Sequence, residues 1–96
     1  MTDVTTIIEE LNDRCFRLKR PIQVRVETYP EGVGVYWDET HIFGEGEDLD
    51  EAIGDFQRNT SAQFEDLEDR EPELSATAAA LLKRLRGFIV SASDDD

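Results

Sequence analysis

Leu49, Ile53, Phe56, Thr60, Phe64 and Leu67 follow one another at steps of four, three, four, four and three residues. Only an α-helix keeps such positions on one face. Asp48 stands just ahead of the run and Glu51 lies three residues further on, the pattern of a capping box. Asp48, Asp50 and Glu51 also place negative charge where the helix dipole is positive. The spacing predicts an amphipathic helix over 48–68, about 30 Å long. One face of that helix must be covered, and the rest of the 96 residues must supply the cover.

The residues before it alternate. Ile22, Val24 and Val26 fall on one side and Gln23, Arg25 and Glu27 on the other, a half-buried strand over 22–28. Tyr29-Pro30-Glu31-Gly32 is a turn, because proline presets φ and glycine supplies conformational freedom. Val33, Val35 and Trp37 alternate with Gly34 and Tyr36 in a second strand over 33–38, and so short a connection makes an antiparallel hairpin. Asp38-Glu39-Thr40 reverses the chain, and 41–45 forms a third strand ended by Gly44 and Gly46. The fold class is α+β: a three-stranded antiparallel sheet packed by the long helix, with a helix at each end of the chain.

At the N-terminus, Val4, Ile7, Ile8, Leu11 and Cys15 recur at helical steps, with Asp3 as N-cap, which predicts a helix over 4–15 and places Cys15 in the core. At the other end, Pro72 suits the first turn of a helix over 72–88 with Leu74, Ala78, Leu81, Leu82, Leu85 and Ile89 on its apolar stripe. Gly87 either lies within that helix or ends it and lets Phe88-Ile89-Val90 run as a strand. Residues 1–90 read as one domain and 91–96 as a disordered acidic tail.

The formal net charge is -13, from 23 acidic and 10 basic residues. Between Glu45 and Glu73 there are twelve carboxylates and two arginines. Such a surface repels phosphate backbones and anionic membranes, so direct nucleic-acid binding and membrane binding are not expected. It attracts a basic protein and raises the encounter rate. A single cysteine allows no internal disulfide, no apolar run reaches the ~20 residues of a membrane span, and no signal-peptide pattern opens the chain. Cytoplasmic residence is the expectation.

The order strand, strand, strand, capped helix, with Gly46-Glu47-Asp48-Leu49-Asp50-Glu51-Ala52-Ile53 at the junction, resembles the HicB-type antitoxin domain over residues 22–68. The resemblance implies a small sheet carrying one long helix, a reduced relative of the RNase H fold. It also implies a toxin-like ribonuclease, or another basic protein, as partner. Asp38-Glu39-Thr40-His41 stands where the family has a Pro-rich loop, and a plain amphipathic helix follows Glu73 where many members carry a DNA-binding segment. The resemblance therefore implies the fold and a protein partner, not operator binding.

No catalytic constellation stands out. His41 is the one histidine and cannot by itself build a zinc site. Acid–base work with Glu39 or Glu45 needs a geometry that the sequence does not specify, and a lone strand histidine is ordinarily surface or structural. Glu27, Asp38 and Glu51 are the candidates for an RNase H-like magnesium cluster, but Val24-Arg25-Val26 occupies the centre of the first strand, where that chemistry needs an inward acid. Neither a Walker loop nor a dinucleotide fingerprint nor a nucleophile elbow is present. No cofactor is expected.

The expected role is non-catalytic: a binding module that holds or neutralises a basic protein. Tyr36 lies on the strand face opposite Trp37 and suits an interface anchor. Tyr36, Asp38, Glu39, His41, Glu45, Glu47, Asp50 and Asp55 are the candidate partner-binding residues. The alternative is a self-assembling structural or regulatory module without a toxin, a homo-oligomer such as a homodimer, through its terminal helices.

Overall fold

The computed structural model describes residues 4–91. Val4-Thr5-Thr6-Ile7-Ile8, five β-branched residues in a row, form a strand, β1 (Val4–Ile8), and not the first turns of a helix over 4–15. β-branched side chains lose rotamer freedom in a helix and pack well on a pleated surface. The segment after it bends, with Asn12 at φ 55° and the Cys15 N–H donating to Asp13 Oδ1 at 2.7 Å. Ile8 and Leu11 are buried as the apolar stripe requires, but Cys15 is exposed and is not a core residue.

Three further strands complete an antiparallel sheet with β1: β3 (Ile22–Tyr29), β4 (Gly32–Trp37) and β5 (Ile42–Gly46), in the order β1-β3-β4-β5. The sheet thus has four strands where three were expected. His41 is not in the third of the expected strands; it sits in the β4–β5 turn at φ 62°. That turn is held by Thr40, whose buried hydroxyl donates to the Trp37 carbonyl and accepts from the Ile42 N–H, both at 3.2 Å.

The long helix, α1 (Leu49–Asp69), begins as its sequence dictates. Asp48 Oδ1 accepts from the Glu51 N–H, and Glu51 Oε1 accepts from the Glu47 N–H, each at 2.9 Å. Ala52, Phe56, Thr60, Phe64 and Leu67 are buried on its inner face. Gly44 of β5 makes the packing tight. A Cβ there would overlap backbone atoms of Ala52 and Phe56, so helix and strand touch backbone to backbone.

A short ribbon closes the other side of α1. β2 (Phe16–Leu18) pairs antiparallel with β6 (Ile89–Ser91), joining segments near the two ends of the described chain. The C-terminal helix, α2 (Ala76–Arg86), is capped by Ser75, not started by Pro72. Pro72 belongs to a separate 3₁₀ turn over Glu71–Glu73. Gly87 ends α2, and of the two courses open to Phe88-Ile89-Val90 the chain takes the strand. Ser91 belongs to β6, and the rest of the expected acidic tail lies outside the described residues. Edge-to-face pairs tie the layers together: Phe16 on Phe64 at 5.2 Å, Trp37 on Phe56 at 6.4 Å and Trp37 on Phe88 at 5.0 Å. No helix among the described residues is long and apolar enough to cross a membrane.

Candidate docking surface

Strand alternation gives the four-stranded sheet two different faces. Ile8, Ile22, Val24, Val35, Trp37 and Ile42 point at the helices and are buried. The opposite face carries Arg25, Glu27 and Tyr29 from β3, Gly34 and Tyr36 from β4, and Phe43 and Glu45 from β5. Neither helix covers it. Phe43 keeps 47% and Tyr29 40% of their surface exposed.

Register builds a cluster there. Arg25 lies opposite Tyr36, and Tyr36 lies opposite Phe43. The Tyr36 and Phe43 rings stack with centroids 6.0 Å apart. The Arg25 guanidinium sits 4.8 Å from the centroid of the Tyr36 ring, a cation–π contact. It also forks onto Asp38, Nε to Oδ2 at 3.0 Å and Nη2 to Oδ1 at 2.9 Å, and pairs with Glu27 through Nη1. That bidentate geometry is the strong form of a guanidinium–carboxylate contact. The hydrogen bonds from Arg25 hold the Asp38 carboxyl below its ordinary range.

Gly34 lets this cluster form. The Tyr36 ring lies along the strand over Gly34, where any Cβ would overlap it. The phenol oxygen thereby reaches Tyr29 Oη at 2.8 Å. Tyr29 donates its own proton to the Glu27 carboxylate, which can only accept. The direction of the chain of bonds is then fixed: Tyr36 donates to Tyr29, and Tyr29 donates to Glu27.

The expected partner-binding residues divide into groups. Tyr36 is at the centre of the cluster and Asp38 at its edge. Glu45 shares the open face. Glu39 turns to α2 and pairs with Arg84 at 3.5 Å. His41 is exposed in the turn. Glu47 and Asp50 are exposed at the entry to α1. Asp55 is engaged within the fold: its Oδ2 accepts from the Glu45 N–H at 2.9 Å. Glu27 and Asp38 flank Arg25, while Glu51 caps the helix entry, so the three carboxylates considered for magnesium are not brought together. Among the described residues no group of His, Cys, Asp and Glu is placed to hold a metal ion.

Arg25, Tyr29 and Phe43 are the members that the sequence did not single out. Their signal was the register, which places Arg25, Tyr36 and Phe43 in one row. The fold also brings together basic residues from early and late in the sequence. Arg20, Arg25, Lys83 and Arg84, with Asp38 and Glu39 beside two of them, line an open cleft of about 1010 Å³ between the sheet and α2. Arg20 lies over the Phe88 ring at 4.0 Å. The protein thus has a basic cleft on the α2 side and acidic surface around β5 and the start of α1. The open face presents exposed aromatic rings beside carboxylates, groups suited to contact with a partner surface. No protein-family model matches the chain, and no curated protein or solved structure gives a significant match.

Proposed function

We propose that the chain is a non-catalytic module that docks a basic protein on the open face of its sheet. In this reading it is a HicB-like antitoxin or inhibitor, and its partner is a small basic protein such as a ribonuclease toxin. The observation that carries the proposal is the setting of Arg25. On that face a guanidinium is already stacked on Tyr36 and chelated by Asp38 and Glu27. A partner arginine or lysine meets the same ingredients next to it, in the exposed Phe43 ring with Glu45, and in Glu47 and Asp50 at the helix entry. Exposed aromatics within an acidic rim are the usual make-up of an interface anchor for a basic partner. The succession β3, β4, β5 and α1, with its cap at Asp48, supports the family resemblance.

Capture from native cell extract at about 0.1 M and about 0.5 M NaCl tests the proposal, since screening weakens charge-driven association. Wild type is expected to retain a basic protein at the lower salt and release it at the higher. The double variant Tyr36→Ala/Phe43→Ala is expected to bind that protein about 30-fold more weakly, the size of one interface hot spot. Capture of no basic protein, or capture indifferent to both substitutions, would sink the proposal.

A further inference from the structure

The two edges of the four-stranded sheet differ. At β5 α1 occupies outward backbone groups: the Glu45 N–H donates to Asp55, and the Phe43 carbonyl accepts from Asn59 Nδ2 at 2.7 Å. At β1 the outer side is open. Val4 is 58% and Ile7 49% exposed, and among the described residues β1 pairs only with β3. Antiparallel ladders alternate between bonded and outward-facing residues. Phe43 and Glu45 face outward, so Ile42, Gly44 and Gly46 bond to β4. Carried across the sheet, that phase bonds Val4, Thr6 and Ile8 to β3 and turns the N–H and C=O groups of Thr5 and Ile7 outward.

We propose that β1 pairs antiparallel with β1 of a second copy, joining two four-stranded sheets into one of eight strands. A two-fold axis through Thr6 sets Thr5 opposite Ile7 of the second copy and Ile7 opposite its Thr5. Each outward N–H then meets an outward carbonyl. Thr5 and Ile7 project on the same open face as Tyr36, so that face runs unbroken through the junction.

Three features favour a second copy over a foreign strand. The register is self-complementary. Val4–Ile8 has no charged side chain in a chain that is 34% charged, so none of its five paired positions sets like charges opposite one another. At the opposite edge Asp55 and Asn59 of α1 occupy the Glu45 N–H and the Phe43 carbonyl, so pairing closes at two copies and does not run on into a filament. Charged or Pro-bearing edge strands normally block such contacts, and β1 has neither. The contact is small, which places it among weak, concentration-dependent interfaces. Net charge opposes it at low ionic strength.

Sedimentation velocity on the full chain tests the pairing at about 0.1 M and about 1 M NaCl, where the screening length falls from about 10 Å to about 3 Å. A monomer–dimer equilibrium that shifts toward dimer at the higher salt is expected. Thr5→Pro removes an outward N–H and no bond to β3, so it is expected to keep the circular dichroism of wild type and raise the dissociation constant about tenfold or more. Ile7→Lys makes the same test without touching the backbone. In a Cys15→Ser background, Thr6→Cys is expected to cross-link two copies on mild oxidation and Thr5→Cys is not, because only Thr6 meets itself. A monomer at high concentration in both salts, or a dimer that survives Thr5→Pro and Ile7→Lys, overturns the proposal.

Discussion

Replacing Gly44 by alanine is expected to destabilise the fold by about 3 kcal/mol, the upper end of what overpacking costs. The added methyl overlaps the Phe56 N–H, the Phe56 Cα and the Ala52 carbonyl oxygen. These are backbone atoms of α1 and cannot rotate away; the helix must lift off β5 as a body. Lifting it loosens the packing of Phe56, buried against Trp37, and draws Asp55 and Asn59 off the β5 edge. A domain of this length has only about 5–15 kcal/mol in hand, so the loss is easily measured by urea unfolding. Gly54 is the control. It lies within α1, and a Cβ there meets only Arg58 Nη1 at 3.5 Å, an ordinary contact. Gly54→Ala is expected to stabilise the protein by up to about 1 kcal/mol through helix propensity. If the two substitutions shift the urea midpoint in the same direction, the backbone contact at Gly44 is not what holds helix to sheet.

Parts of the fold differ in how plainly the sequence marks them. α1 announces itself several times over, in its apolar period, its capping box and its first-turn acids. β3 and β4 are equally plain, because their alternation is clean and their turn is short. The N-terminal strand mimics a helix because Val4, Ile7, Ile8 and Leu11 satisfy a helical step, and that step outweighs the β-branched composition opposing it. Tertiary pairing with β3 decides the matter. β2 and β6 are hidden for another reason: three-residue strands carry almost no periodic signal, and Phe16 finds its partner at Ser91. At the candidate site, Tyr36 can be placed opposite Trp37 by counting, but Arg25 and Phe43 join it only through cross-strand register. Cys15 shows the converse error, an apolar-looking position left at the surface once the helix carrying it is gone.

Raising NaCl from about 0.1 M to about 1 M is expected to stabilise the folded protein by about 3 kcal/mol, a large effect for so small a chain. The source is the net charge of -13 held within a Cα radius of gyration of 13.9 Å. For an equivalent sphere of about 18 Å in water, charging with Debye screening costs about 7 kcal/mol when the screening length is 10 Å and about 3 kcal/mol when it is 3 Å. The unfolded chain, with a radius of gyration of about 31 Å, spreads the same charge and gains only about 1 kcal/mol from the same screening. The difference favours the native state. Screening also weakens Arg86 with Glu68 and Glu71, and Arg25 with Asp38, but these pairs are solvent-exposed and contribute little in comparison. At roughly 4–8 °C per kcal/mol for a domain of this size, the melting temperature is expected to climb by more than 10 °C. Thermal melts followed by circular dichroism across that range of NaCl, at a protein concentration low enough to keep the chain monomeric, separate this effect from mass action. A flat or falling melting temperature would mean that the carboxylates along 45–73 are neutralised locally, and would remove the surplus charge to which a basic partner is drawn.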